Sequence, residues 1–271
     1  MKLEMRHIYK SFGAVKAVQD VDLTVEPGQI HGLLGENGAG KTTLMNVLAG
    51  TFAPDSGDIL IDGNKTLNMT PLKAAELKIR FIHQELNLCN DLKVYQNMFL
   101  GQEEKKKSGL VDKETEIAKA QKVLDYMNSG IQATKVVAEL DTAQKQLVEI
   151  ARALLFDSEL IIMDEPTTAL NNNEIDNLFN IMRQLKSEGV SFIYISHKMP
   201  ELFSICDKYT VMRDGKFVET GNFSDIDENI ATELLIGHAF ISANLKEQYN
   251  KHESTEVALS VKTLVAMDSR I

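Results

Sequence analysis

The sequence predicts an α/β fold with a parallel-sheet core, an N-terminal antiparallel β layer and an inserted helical subdomain. Three observations predict it. The first eighty or so residues hold short segments that are apolar at every second position; three later runs, at 30–34, 160–163 and 191–195, are almost continuously apolar; and the stretch from about 92 to 155 places its apolar residues at helical spacing. Half-buried antiparallel strands alternate, strands buried on both faces do not, and a helix returns to one face every three or four residues.

Taken in order, Leu3-Glu4-Met5-Arg6-His7-Ile8 and Val21-Asp22-Leu23-Thr24-Val25, the latter closed by Pro27-Gly28, read as strands of the antiparallel layer. Ile30 to Leu34 then enters a glycine-rich turn and an apolar-periodic stretch from Lys41 to Leu48, which is strand, loop, helix. Ile79-Arg80-Phe81-Ile82-His83 is strand-like, and in the middle third Ile117, Ala120, Val123, Leu124 and Met127 share one helical face. Leu160 to Met163 and Ser191 to Ile195 are too short for helices and flank a helix from about Asn173 to Glu188 that Gly189 terminates, a strand, helix, strand unit with parallel pairing. Asp214-Gly215, set between Tyr209-Thr210-Val211-Met212 and Lys216-Phe217-Val218, predicts a two-residue hairpin and thus a β-ribbon after the α/β core. From about Leu245 to Glu256 polar and charged residues predominate, which predicts a linker.

Composition sets outer limits on function. The chain has 271 residues, more than one typical domain and fewer than two large ones, with 29 Lys and Arg against 39 Asp and Glu, a formal charge of −10. That balance, with no basic arm and Lys105-Lys106-Lys107 directly following Glu103-Glu104, argues against a nucleic-acid partner. No run approaches the roughly 18 apolar residues that span a bilayer, and the opening residues alternate charge with apolarity, so a cytosolic protein is expected. Cys89 and Cys206 lie far apart with no ligand-spaced Cys or His, which predicts buried or neutral thiols and neither disulfide nor zinc.

The chemistry starts at Gly35-Glu36-Asn37-Gly38-Ala39-Gly40-Lys41-Thr42, with Thr43 next, which satisfies GxxxxGK[ST] directly after a buried strand and at the opening of a helix. In such a loop the glycines let backbone N–H groups turn inward around phosphate oxygens, and the helix N-terminus adds partial positive charge. Lys41 then reaches the terminal phosphates, and the Thr42 hydroxyl is placed for Mg²⁺. Asp164 closes the apolar run Leu160 to Met163 at the carboxyl end of a parallel strand, where ligands of such sheets bind, and is the expected metal carboxylate. Glu165 follows and could activate water; charges emerging from an apolar run would be expensive to leave unpaired, so function is favoured over a strand-end cap. His197 repeats the placement after Phe192 to Ile195, where it can donate to a γ-phosphate. Gln84 ends its own strand-like segment and could touch both metal and water.

The ordered set Gly35 to Thr42, Gln84, Leu140-Asp141-Thr142-Ala143-Gln144, Leu160 to Glu165 and His197 resembles the ATP-binding subunit of ABC transporters over roughly residues 1–240. The resemblance implies that these are Walker A, Q-loop, signature, Walker B with catalytic Glu, and H-loop, with Ala169-Leu170-Asn171-Asn172 at the D-loop position. Four segments, His83 to Leu88, Gln144 to Arg152, Glu165 to Leu170 and Ile195 to Met199, look like the tandem-cassette importers of ribose, galactose and xylose. What this implies is a P-loop ATPase acting on ATP with Mg²⁺ at the cytoplasmic face of the membrane. Its implied partners are a second cassette, permease subunits and, indirectly, a solute-binding protein. Phe12 falls at the position implied to stack on adenine, Gln84 joins Thr42 and Asp164 at the metal, and Leu140 to Gln144 are implied to act in trans on the nucleotide of the opposite cassette. A sugar is the implied solute, with a nucleoside as the alternative; a soluble ABC-type clamp on ribosomes or DNA is disfavoured by charge, and a GTPase by the absence of Asn-Lys-x-Asp.

Two departures stand out. The signature, usually LSGGQ or a near variant, has Asp141 at its Ser position and Ala143 at its second Gly, and Asn171 stands where the D-loop usually has Asp. A carboxylate facing a phosphate is repulsive, on the order of 4 kcal/mol for unit charges ~4 Å apart at an effective dielectric near ~20. The expectation is asymmetric: the nucleotide held by Lys41, Thr42, Asp164, Glu165 and His197 is hydrolysed, and the one contacted through the signature belongs to a weaker site. The expected organisation is an ATPase core at 1–90 and 151–240, a helical subdomain at 91–150, a linker at 241–256 and the severed start of a second cassette at 257–271. The last assignment rests on Leu259-Ser260-Val261-Lys262-Thr263-Leu264, which repeats the pattern of Leu3 to Ile8. A lone cassette is expected to hydrolyse ATP slowly.

Overall fold

In the computed structural model, which describes residues 1–236, the strands hydrogen-bond in the order β5-β4-β1-β2-β10-β9-β3-β8-β7-β6. β1 (Leu3–Phe12) and β2 (Val15–Val25) pair antiparallel, as their alternation predicts, with Leu3, Met5, Val21, Leu23 and Val25 turned inward. Two strands that the sequence did not announce, β4 (Ser56–Ile61) and β5 (Asn64–Lys65), extend that layer.

The parallel half is β3 (Ile30–Leu34), β8 (Ser191–Ile195), β7 (Leu160–Asp164) and β6 (Ile79–Ile82). Every residue of β3, β7 and β8 is buried, and successive side chains feed two different cores. Ile161, Met163, Phe192 and Tyr194 join the cluster beneath α3 (Val94–Phe99), α4 (Lys113–Tyr126), α5 (Thr142–Leu155) and α6 (Asn172–Ser187). Leu160, Ile162, Ile193 and Ile195 join the cluster between the antiparallel layer and α1 (Lys41–Leu48). Burial on both faces is why these runs lack alternation.

The hairpin at Asp214-Gly215 forms between β9 (Lys208–Arg213) and β10 (Lys216–Asn222), with φ of 51° and 76° at its two central residues. It differs from a ribbon appended to the core. β9 is a full member of the sheet, parallel to β3, and β10 meets β2 at the single bridge Lys216↔Gln19, so the hairpin joins the two halves. Helix α6 starts and ends one residue earlier than its periodicity suggests, because Asn171 caps it by accepting from the Glu174 amide while Glu174 reaches back to the Asn171 amide. Cys206 is buried, and burial pushes its thiol up; Cys89 is exposed, and both are free thiols. The remaining helices are α2 (Pro71–Glu76), α7 (Met199–Ile205) and α8 (Glu228–Ile236), and Met1–Leu235 forms one compact unit. Among the described residues no helix is long and apolar enough to cross a membrane. The linker expected at 241–256 and the second-cassette start expected at 257–271 lie outside the described residues.

Candidate functional site

Parallel pairing brings the carboxyl ends of β3, β6, β7 and β8 to one sheet edge, and the residues that follow each strand gather there. A cleft of about 540 Å³ opens at that edge, lined by Asn37 to Thr43, Gln84, Asp164, Glu165 and His197. The glycine-rich loop is shaped by backbone demands. Gly38 and Gly40 have φ of 84° and 95°, and a Cβ on Gly40 would stand 2.4 Å from the Ala17 carbonyl oxygen. Gly40 in this conformation starts α1, directing its N-terminus into the cleft, while Lys41 Nζ donates to the carbonyls of Gly35 at 2.7 Å and Glu36 at 3.1 Å. Burial pulls the Lys41 ammonium below its ordinary value, opposed by the charges of Asp164 and Glu165.

The Thr42 hydroxyl donates to Asp164 Oδ2 at 3.0 Å across 122 residues of sequence. Asp164 is 5% exposed, and burial raises its carboxyl above the usual range, with Glu165 adding to the rise and Thr42 and Lys41 opposing it. No group of three or more His, Cys, Asp or Glu is arranged to hold a metal among the described residues. One hydroxyl and one carboxylate nonetheless suit a hard divalent cation whose other ligands are phosphate oxygens and water.

Glu165 has φ of 50°, a left-handed backbone that non-glycine residues rarely adopt. Its amide donates to the Ile195 carbonyl at 2.9 Å, its Oε1 lies 2.9 Å from His197 Nδ1, and its Oε2 is buried with no partner among the described residues. Glu165 lines the cleft beside the glycine-rich loop, and a carboxylate there is suited to accept a proton from a water molecule. His197 is largely exposed at the cleft rim.

Not every expected site residue meets here. Phe12 is exposed and packs edge-on against Phe52 at 5.1 Å, with Lys10 Nζ 5.4 Å from its ring; the cleft wall nearest in sequence is Val15, Lys16 and Ala17. The five residues Leu140 to Gln144 are also absent from the cleft lining. Leu140 is buried, and Asp141 is the N-cap of α5, accepting from the Gln144 amide at 2.8 Å while the Gln144 side chain reaches back to the Asp141 amide at 3.4 Å. Asp214 and Gly215 of the hairpin complete the wall beside Val15 to Ala17. Their turn signal was legible, but their closeness to the loop follows from the placement of β9 beside β3.

The chain matches the ABC transporter family over residues 18–168. It is 48% identical over 237 residues to a ribose import ATP-binding protein RbsA of Lacticaseibacillus paracasei, covering 88% of this chain and 47% of the relative. It is 42% identical over 251 residues to the RbsA of Bacillus subtilis, covering 93% of this chain and 50% of that protein. The chain thus spans about half the length of the curated relatives it matches. Among solved structures it superposes on a nucleotide-free ATP-binding cassette from an ABC transporter with a TM-score of 0.76 at 26% identity, covering 89% of this chain and 98% of that one. The ADP conformation of another such cassette gives a TM-score of 0.72 at 27% identity, with 90% and 99% covered.

Proposed function

The chain belongs to the ABC transporter family, and from that premise we propose that it is an ATP-hydrolysing cassette that powers import of a small solute, a simple sugar, through a membrane permease. The observation that carries this reading is the joining of the phosphate loop to both acids and the histidine in one cleft, through Thr42–Asp164 at 3.0 Å and Glu165–His197 at 2.9 Å. The relatives named as ribose import ATP-binding proteins support the sugar.

In this reading the amides of Gly35 to Thr43 and Lys41 hold the phosphates of ATP, and the exposed ring of Phe12 offers a stacking face to adenine. Thr42, Asp164 and Gln84 would hold Mg²⁺, which offsets phosphate charge when bound. Glu165 orients an attacking water through its carboxylate and takes its proton, while His197 orients the γ-phosphate and is fixed by Glu165 Oε1. Residues 1–90 and 151–240 form the ATPase core, and 91–150 form the helical subdomain that presents Leu140 to Gln144 to the nucleotide of a second cassette. The pair closes head to tail on two ATP molecules at the cytoplasmic face of the membrane, and hydrolysis reopens it, with permease subunits and a solute-binding protein as the remaining partners.

Co-purification with a membrane permease, together with ATP turnover raised by the solute-loaded binding protein, is the expected result. Co-sedimentation with ribosomes in place of a permease, or equal competition by GTP and ATP for the cleft, would contradict it.

A further inference from the structure

Beneath the cleft lies a buried polar network that the steps above do not use. Glu201, in the first turn of α7, is 7% exposed, and four donors converge on its carboxylate. Thr167 Oγ1 lies 2.8 Å from both of its oxygens, Tyr194 OH donates to Oε2 at 2.8 Å, Ser196 Oγ donates to Oε2 at 3.2 Å, and Lys198 Nζ pairs with Oε1 at 3.0 Å. Lys198 closes the ring, its Nζ reaching the Thr167 hydroxyl at 3.3 Å and its backbone amide donating to Ser196 Oγ at 3.1 Å. Thr167, Tyr194 and Ser196 are 1%, 0% and 4% exposed.

A buried charge network of this kind is an uneconomical way to stabilise a core, since well-packed apolar side chains of similar volume do as well or better. Its location suggests what it does. Thr167 stands two residues after Glu165, and Ser196 one residue before His197. The Glu165–His197 contact itself lies at an exposed rim, where a hydrogen bond alone fixes geometry poorly, and Glu165 sits on a left-handed backbone that persists only when its surroundings determine it. We propose that Glu201 is a positioning residue: its carboxylate ties the turn after Glu165 to the turn before His197, so that the water-orienting acid and the phosphate-orienting histidine keep one fixed relation. The inference rests on the hydrolytic reading of the cleft. Burial pushes the Glu201 carboxyl up, but the hydrogen bonds from Lys198, Thr167 and Tyr194 outweigh it and hold the group below the usual range, so it is charged at neutral pH.

The test is steady-state Mg·ATP hydrolysis by the chain at high protein concentration, alongside equilibrium ATP binding and thermal melting. Glu201→Gln, isosteric but uncharged, is expected to lower kcat by about tenfold while KM and ATP affinity stay within about twofold. Thr167→Val replaces the hydroxyl with a methyl group and should do the same, Thr167→Ser should restore wild-type turnover, and the double variant should be no slower than the slower single one. Should Glu201→Gln fail to fold, Thr167→Val and Tyr194→Phe carry the same expectation with smaller perturbations. Unchanged kcat in the folded variants, or losses that multiply in the double variant, would overturn the positioning role. Absence of hydrolysis by the wild-type chain paired with a second cassette would instead overturn the hydrolytic reading, and the positioning role with it.

Discussion

Glu165 combines a largely buried carboxylate, one oxygen of which has no partner among the described residues, with a backbone held at φ of 50°. A glycine there adopts the same conformation without steric penalty, so Glu165→Gly should leave stability unchanged or raise it by up to about 1 kcal/mol, measured by urea unfolding, while turnover is lost. A destabilisation greater than that would show that the side chain serves the fold. The site residues Asp164, Glu165 and His197 were legible because each follows an apolar run, where a charge or imidazole has no packing reason to be. Glu201 was not legible. Lys198 and Glu201 are three apart at a helix start, which in sequence is the pattern of an ordinary surface ion pair, and only the closeness of Thr167, Tyr194 and Ser196 makes it a buried junction.

At the scale of elements, Asp141 has a structural role besides its proposed place in a signature. It caps α5 in a reciprocal box with Gln144, so Asp141→Ala should destabilise the chain by about 1 kcal/mol in chemical unfolding, whereas Asp141→Ser, which can also cap, should be nearly neutral. In the chain paired with a second cassette, Asp141→Ser separates capping from charge: a raised ATPase rate is expected if the carboxylate weakens the proposed signature, and unchanged hydrolysis would remove that claim. The strands and helices with strong patterns, β3, α1, β7, β8 and β9, appear within a residue or two of where the sequence places them, and β10 starts where expected but runs four residues past Val218. The weak ones had no signal to read. β5 is two exposed residues, Asn64 and Lys65, held only by backbone pairing to β4, and the six-residue α2 depends on the Thr70 cap and Pro71 more than on any apolar face.

For the molecule as a whole, strand order was the part that sequence could not supply, because it is decided by pairings between distant segments. His31, at the centre of that sheet, gives a stability prediction. It is 1% exposed, with Nε2 2.8 Å from Thr210 Oγ1 and Nδ1 without a partner among the described residues. Burial, with Lys208 adding, lowers it from 6.5 to about 4. The unfolded chain therefore binds the extra proton between those two values, so stability is full above pH 6.5 and falls as pH drops towards 4, by about 3 kcal/mol at about 1.4 kcal/mol per pH unit. Urea unfolding of wild type and His31→Asn across that window checks it: the difference between the two should carry this slope, and parallel curves would contradict it.

The central claim, that this cleft hydrolyses ATP through Glu165, is tested most directly by comparing Glu165→Gln with the wild-type chain in ATP binding and in phosphate release. The variant is expected to bind Mg·ATP with wild-type affinity and to release phosphate at least about a hundredfold more slowly. Phosphate release at the wild-type rate by the variant would contradict it.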